Sequence, residues 1–150
     1  MRQNHGAGQI NDRQDGPHAH CALFGGDGRW LYHVDLCTDQ VLAYLLIAEN
    51  GSLSEPIVAY QSARGAGPRH LVLHPRLPIA FLVSELGGTL TMLQVGDGSF
   101  AERQTGTTAP ADYSGENLGS YLELNEAGNR IYVTKRGHDS VAVFALGDAA

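Results

Sequence analysis

Apolar and polar positions along this chain fall into short runs, broken every few residues by glycine, proline or aspartate. "HCALF" (20–24), "WLYHVDL" (30–36) and "QVLAYLL" (40–46) are three such runs, separated by "GGDG" and "CTD". Runs of this length between turn residues predict β-strands, and no apolar stripe of helical period lasts ten residues. A fourth run, "PIVAYQSA" (56–63), follows the first three, and "FAERQTGTT" (100–108) stands at the matching place further on.

The pattern recurs. "HCALFGGDGRWLYHVDLCTDQVLAY" (20–44), "HLVLHPRLPIAFLVSELGGTLTMLQ" (70–94) and "SYLELNEAGNRIYVTKRGHDSVAVF" (120–144) align without a gap at a period of 50. In that alignment Gly28, Pro78 and Gly128 share a turn column, and Leu31, Phe81 and Ile131 an apolar one. Asp35, Glu85 and Lys135 form a polar column, and Val41, Thr91 and Val141 open the next run. Four antiparallel strands per unit at this period predict an all-β fold of β-propeller blades, with units near 17–63, 67–108 and 116–146. A β-sandwich needs no such repeat. Rings close with about four to eight blades, so the three units are expected to form part of a larger ring. Their two open sides invite self-association through exposed blade edges.

Composition narrows the function. The 150 residues are 43% hydrophobic, enough for a core, and carry 19 glycines and a net charge of −6. With no extended basic stretch, binding along a nucleic-acid backbone is excluded. No run has membrane-spanning length, and "MRQNHGAGQI" lacks the apolar centre of a signal peptide. Cys21 and Cys37 show neither C-x-x-C spacing nor a disulfide framework, which fits reduced thiols in the cytoplasm. The sequon Asn50-Gly51-Ser52 reads as a turn.

Two proline turns carry the candidate chemistry: "PHAH" (17–20) and "GPRH" (67–70). In an antiparallel hairpin the start of the first strand and the end of the second share one rim. His18 and His20 enter one unit, Arg69 and His70 the next; Asp35, Glu85, and Lys135 with Arg136 leave the second strands. Such groups would gather at one mouth of the ring. Paired guanidiniums can grip a phosphate or carboxylate, a glutamate can accept a proton or neutralise them, and an imidazole titrates near neutrality. His18 and His20 share a strand face, as a metal pair would, but no cysteine or carboxylate stands at partner spacing. "GAG" (65–67) precedes a strand and is not a phosphate loop, and consecutive His138-Asp139-Ser140 cannot form a relay.

"HGAGQINDRQDGPHAHCALF", "RGAGPRHLVLHP", "SELGGTLTML", "GEN" and "YVTKRGHDSVAVF" together make the chain resemble the lactonase family of seven-bladed propellers. That family includes propeller-type 6-phosphogluconolactonases and the 3-carboxy-cis,cis-muconate lactonizing enzyme. The resemblance implies about three blades of seven. It also implies functional residues at His20 or His18, Arg69, Glu85 and Arg136, and the shared rim adds His18, His70, Lys135 and Asp35 as substrate-binding candidates. The activity implied is metal- and cofactor-independent hydrolysis of an anionic lactone, 6-phosphogluconolactone to 6-phosphogluconate in the pentose phosphate pathway. Muconate lactonization, or a non-catalytic partial propeller binding partners through its open edges, are the alternatives. The chain departs from the family pattern at Ser84 and Lys135, where asparagine is usual, at Tyr121 for glutamate, and at Cys37 for glycine.

Overall fold

A computed structural model describes residues 3–147 as twelve β-strands, with no helix among them. β1 (Ala19–Phe24), β2 (Trp30–Asp35), β3 (Gln40–Ile47) and β5 (Ile57–Gln61) form the first sheet, and the short β4 (Ser52–Leu53) pairs with the end of β3. β6 (Pro68–Leu73), β7 (Ile79–Ser84), β8 (Thr89–Val95) and β9 (Phe100–Thr107) form the second. β10 (Leu118–Leu124), β11 (Arg130–Arg136) and β12 (Ser140–Ala145) form the third. All pairings are antiparallel between neighbours. The first strands β1, β6 and β10 lie side by side, so the sheets succeed one another as propeller blades. The all-β fold expected of the sequence is the fold observed.

The middle blade is buried on both faces. Ala80 and Leu82 of β7 pack with Tyr32, Val34 and Val41 of the first blade, and the Tyr32 and Phe100 rings meet at 4.6 Å between centroids. Ile79, Phe81 and Val83, which alternate with them, pack with Leu122, Ile131 and Val133 of the third. The outer face of the third blade stays open, with Tyr132, Val141 and Val143 exposed, whereas Asn4 bonds His33 and Tyr44 on that of the first, where Ile57 and Val58 of the edge strand β5 are exposed.

The repeat is not gapless. The β2–β3, β7–β8 and β11–β12 turns each place a residue in the left-handed region, and these are Asp39, Gly88 and Asp139, spaced 49 and then 51. Strand pairing carries the same spacing: Asp35 pairs with Ala19, Ser84 with Pro68, Lys135 with Gly119. The polar column is therefore Asp35, Ser84, Lys135, and Glu85 stands one place on, with Leu36 and Arg136. Likewise Ala80, not Phe81, matches Leu31 and Ile131, Leu90, not Thr91, matches Val41 and Val141, and Leu77, not Pro78, matches the turn glycines. The slip escapes notice because every residue of β7 is buried, so its apolar run has no alternation to fix the register.

Candidate active site

Each first strand carries a bulge at the same place near its start. The register shifts between Ala19 and Cys21, between Pro68 and His70, and between Gly119 and Leu122. An unpaired residue at a bulge is re-aimed out of the ladder. The re-aimed residues in the first two blades are His20 and Arg69. Gly67, left-handed at φ 58°, leads into β6, and an added Cβ there would meet the Leu86 side chain at 2.7 Å. Glycine is needed at that turn.

Glu85 is the hub. Its side chain is 1% exposed and ion-pairs with Arg69 at 2.5 Å, Arg136 at 2.9 Å and, more closely, Arg13. Arg69 and Arg136 meet Oε2, and Arg13 meets Oε1. Arg69 Nε donates to the Ser120 carbonyl at 3.0 Å, and its Nη1 lies 3.2 Å from His20 Nδ1. The same Nη1 lies 3.5 Å from His20 Nε2, so the guanidinium sits against the imidazole ring and not in line with either nitrogen's lone pair. Burial pushes the Glu85 carboxyl up, but the Arg13 and Arg136 hydrogen bonds and the Arg136 and Arg69 charges outweigh it, and its pKa is lowered. Burial and then the Arg69 charge hold the His20 imidazole below its ordinary range, against an opposing pull from Glu85. At neutral pH the site thus holds an ionised carboxylate, a neutral imidazole and three cations.

His20, Arg69, Glu85 and Arg136 therefore meet in one cluster. The flanking residues divide. His70 Nδ1 lies 2.7 Å from the Ser120 carbonyl that Arg69 also bonds, and its ring meets the Tyr121 ring edge-on at 5.1 Å. His18 is exposed, 3.7 Å from the Asp15 carboxylate, with its ring centroid 6.4 Å from that of His20. Lys135 and Asp35 are turned elsewhere, contrary to the sequence expectation. Lys135 is buried and donates to the Thr108 carbonyl at 2.7 Å, because successive residues of β11 point to opposite faces and Arg136 takes the one toward Glu85. Asp35 is wholly buried; its Oδ1 accepts the Cys37, Thr38 and His18 amides and its Oδ2 the Asn4 side chain.

Arg13 escaped the sequence reading. It lies in a turn outside any strand, where no periodicity or motif spacing marks it. The neighbour that fixes it is Gln14, fully buried, whose amide donates to the Leu36 carbonyl and Asp39 and accepts the Gln9 and Ile10 amides. Asp39 in turn receives the Gly65 and Gly67 amides, tying the Arg13 turn to the one that delivers Arg69. From His70 and Tyr121 a groove of about 540 Å³ runs between β6 and β10, with Glu123 and Glu126 further along it. No set of three or more His, Cys, Asp or Glu side chains is arranged to hold a metal among the described residues.

The family described as "Lactonase, 7-bladed beta-propeller" matches residues 1–150. The chain belongs to this family. It is 35% identical over 138 residues to the 6-phosphogluconolactonase of Bacillus subtilis, a match covering 91% of this chain and 39% of that protein. A crystal structure of a Lactobacillus plantarum protein superposes with a TM-score of 0.90 at 35% identity, over 99% of this chain and 43% of that one. The Pseudomonas aeruginosa periplasmic gluconolactonase gives 0.87 at 30% identity, over 98% and 42%. The chain thus spans about two-fifths of the length of these relatives, in keeping with three blades of seven.

Proposed function

We propose that the site hydrolyses a sugar lactone, specifically 6-phosphoglucono-δ-lactone to 6-phosphogluconate, the lactone-opening step of the pentose phosphate pathway. The observation that carries this reading is the cluster itself: three guanidiniums around one buried carboxylate, with a neutral imidazole on Arg69. The surplus positive charge suits an anionic substrate and the oxyanion that forms when water adds to the ring carbonyl. Arg69 and Arg136 donate to that oxygen. As Arg69 turns from His20 to the carbonyl, the neutral imidazole takes the proton of the attacking water on its unprotonated ring nitrogen. The tetrahedral intermediate then collapses, the ring C–O bond breaks, and His20 returns the proton to the departing alkoxide, leaving an acid and an alcohol. Glu85 stays ionised and aligns the arginines; a carboxylate of lowered pKa is a poor base.

No metal or cofactor enters these steps. We place the reaction in the cytoplasm, where the unpaired thiols of Cys21 and Cys37 fit a reducing compartment. The test is hydrolysis of 6-phosphoglucono-δ-lactone by the protein and its His20→Asn variant, followed by proton release at constant pH. Turnover should fall about a hundredfold or more in the variant, a hundredfold being the lower end of the range for losing a general base. A wild-type rate no faster than buffer would reject the reading.

A further inference from the structure

We propose that Arg13 is a substrate-binding residue of this site and takes the anionic substituent of the lactone, the phosphomonoester in the reading above, on which this inference rests. The arrangement around Glu85 separates two functions. Arg69 and Arg136 share Oε2, and His20 lies on the Arg69 side, so the carbonyl chemistry belongs to that flank. Arg13 approaches the other oxygen, Oε1. Charge points the same way. Three guanidiniums against one carboxylate leave two positive charges unmatched, since the His20 ring is neutral at pH 7. A developing oxyanion answers one of them. The second is answered by a group that is anionic throughout.

Arg13 is equipped for that group. Its side chain is 41% exposed, and its one ion-paired side-chain partner among the described residues is the Glu85 carboxylate. A guanidinium has five N–H donors in a planar fork that matches phosphate oxygens, so most remain for a ligand. The residue is also held in place before a ligand arrives. The Arg13 and Gln14 amides both donate to the Ile10 carbonyl, and the buried Gln14 side chain fixes the turn from both sides. Such preorganisation lowers the entropy lost on binding. A purely structural partner for Glu85 is not needed there, since Arg69 and Arg136 already neutralise it.

The experiment compares wild type, Arg13→Gln and Arg13→Lys on 6-phosphoglucono-δ-lactone and on unphosphorylated glucono-δ-lactone. Calorimetric binding of 6-phosphogluconate and gluconate is measured alongside. In Arg13→Gln the ratio of kcat/KM for the phosphorylated over the neutral lactone should drop about tenfold or more, mainly through KM, as expected for a lost bond to a charged group. Arg13→Lys should show a smaller loss in the same direction, and it decides the matter if the glutamine variant does not fold. Equal losses on both lactones in the variants that fold would overturn the inference while leaving the lactonase reading intact. If wild type hydrolyses neither lactone, that reading fails, and the calorimetric arm still decides on Arg13. Tighter binding of 6-phosphogluconate than gluconate, lost on substitution, supports it; binding indifferent to residue 13 refutes it.

Discussion

Arg69 stands in the second blade at the repeat position that His20 holds in the first, and its Nη1 reaches His20 Nδ1 at 3.2 Å. One bulge, used twice, thus brings a guanidinium and a neutral imidazole to the same point. Burial keeps the imidazole uncharged, and the pairing adds to it, because protonating the ring would set two cations against each other.

Acid should therefore inactivate late. The His20 pKa lies below the ordinary imidazole value of 6.5, so kcat/KM is expected to hold steady from pH 8 down past 6.5 before falling. Arg69→Met removes the second-largest cause of that depression, after burial. The acidic limb of its pH–rate profile should move upward in pH. A wild-type limb centred above 6.5 would contradict the assigned environment of His20.

Glu85→Gln should lose activity and some stability together. Breaking a buried pair costs about 3–5 kcal/mol, but the partly exposed arginines are solvent-screened, which brings the expectation to about 1–3 kcal/mol. The folded pKa of Glu85 is lowered, so its contribution is complete above the unfolded carboxyl pKa of 4.5 and is lost as pH falls through the folded value. Denaturant titrations should show wild type and variant converging as pH drops below 4.5. A constant gap down to pH 3 would rule out this linkage.

Lys135→Met tests the reassignment of that residue. With the ammonium on the Thr108 carbonyl, the substitution should destabilise by about 1.5–3 kcal/mol, the range for a hydrogen bond to a charged group. KM for the phosphorylated lactone should change by less than about twofold, below the effect of losing any direct bond to phosphate. A tenfold rise in KM with unaltered stability would return Lys135 to the substrate.

The open face of the third blade should make this chain sticky. Val141 and Val143 are each more than half exposed on one face of β12, beside Tyr132 of β11. Light scattering of the 150-residue chain should show association that weakens in Val141→Lys/Val143→Glu. A monomer at every concentration would show this face to be inert.

Much of this architecture was legible in the sequence, and the failures have physical causes. Strand positions could be read because turns such as "GGDG" and "NEAG" bracket each run, and β9 was visible although its outward residues are polar. The exact register of the middle blade was not, because β7 packs on both faces and lacks alternation. That same slip hid the equivalence of His20 with Arg69 and placed Glu85 in the wrong column. Strand-end geometry drew His20, Arg69, Glu85 and Arg136 to one rim, but it could not say which way neighbours on a strand face, and so it swept in Lys135 and Asp35. Arg13 was invisible because a turn residue fixed by tertiary bonds leaves no pattern in the chain.

The most direct measurement is kcat/KM on 6-phosphoglucono-δ-lactone for Arg69→Met, Arg136→Met and the double variant. If both arginines act on one oxyanion through a shared carboxylate, each single change should cost about a hundredfold, and the double should cost clearly less than the product of the two. Full activity in either single variant, or strictly multiplicative losses, would contradict a single site organised by Glu85.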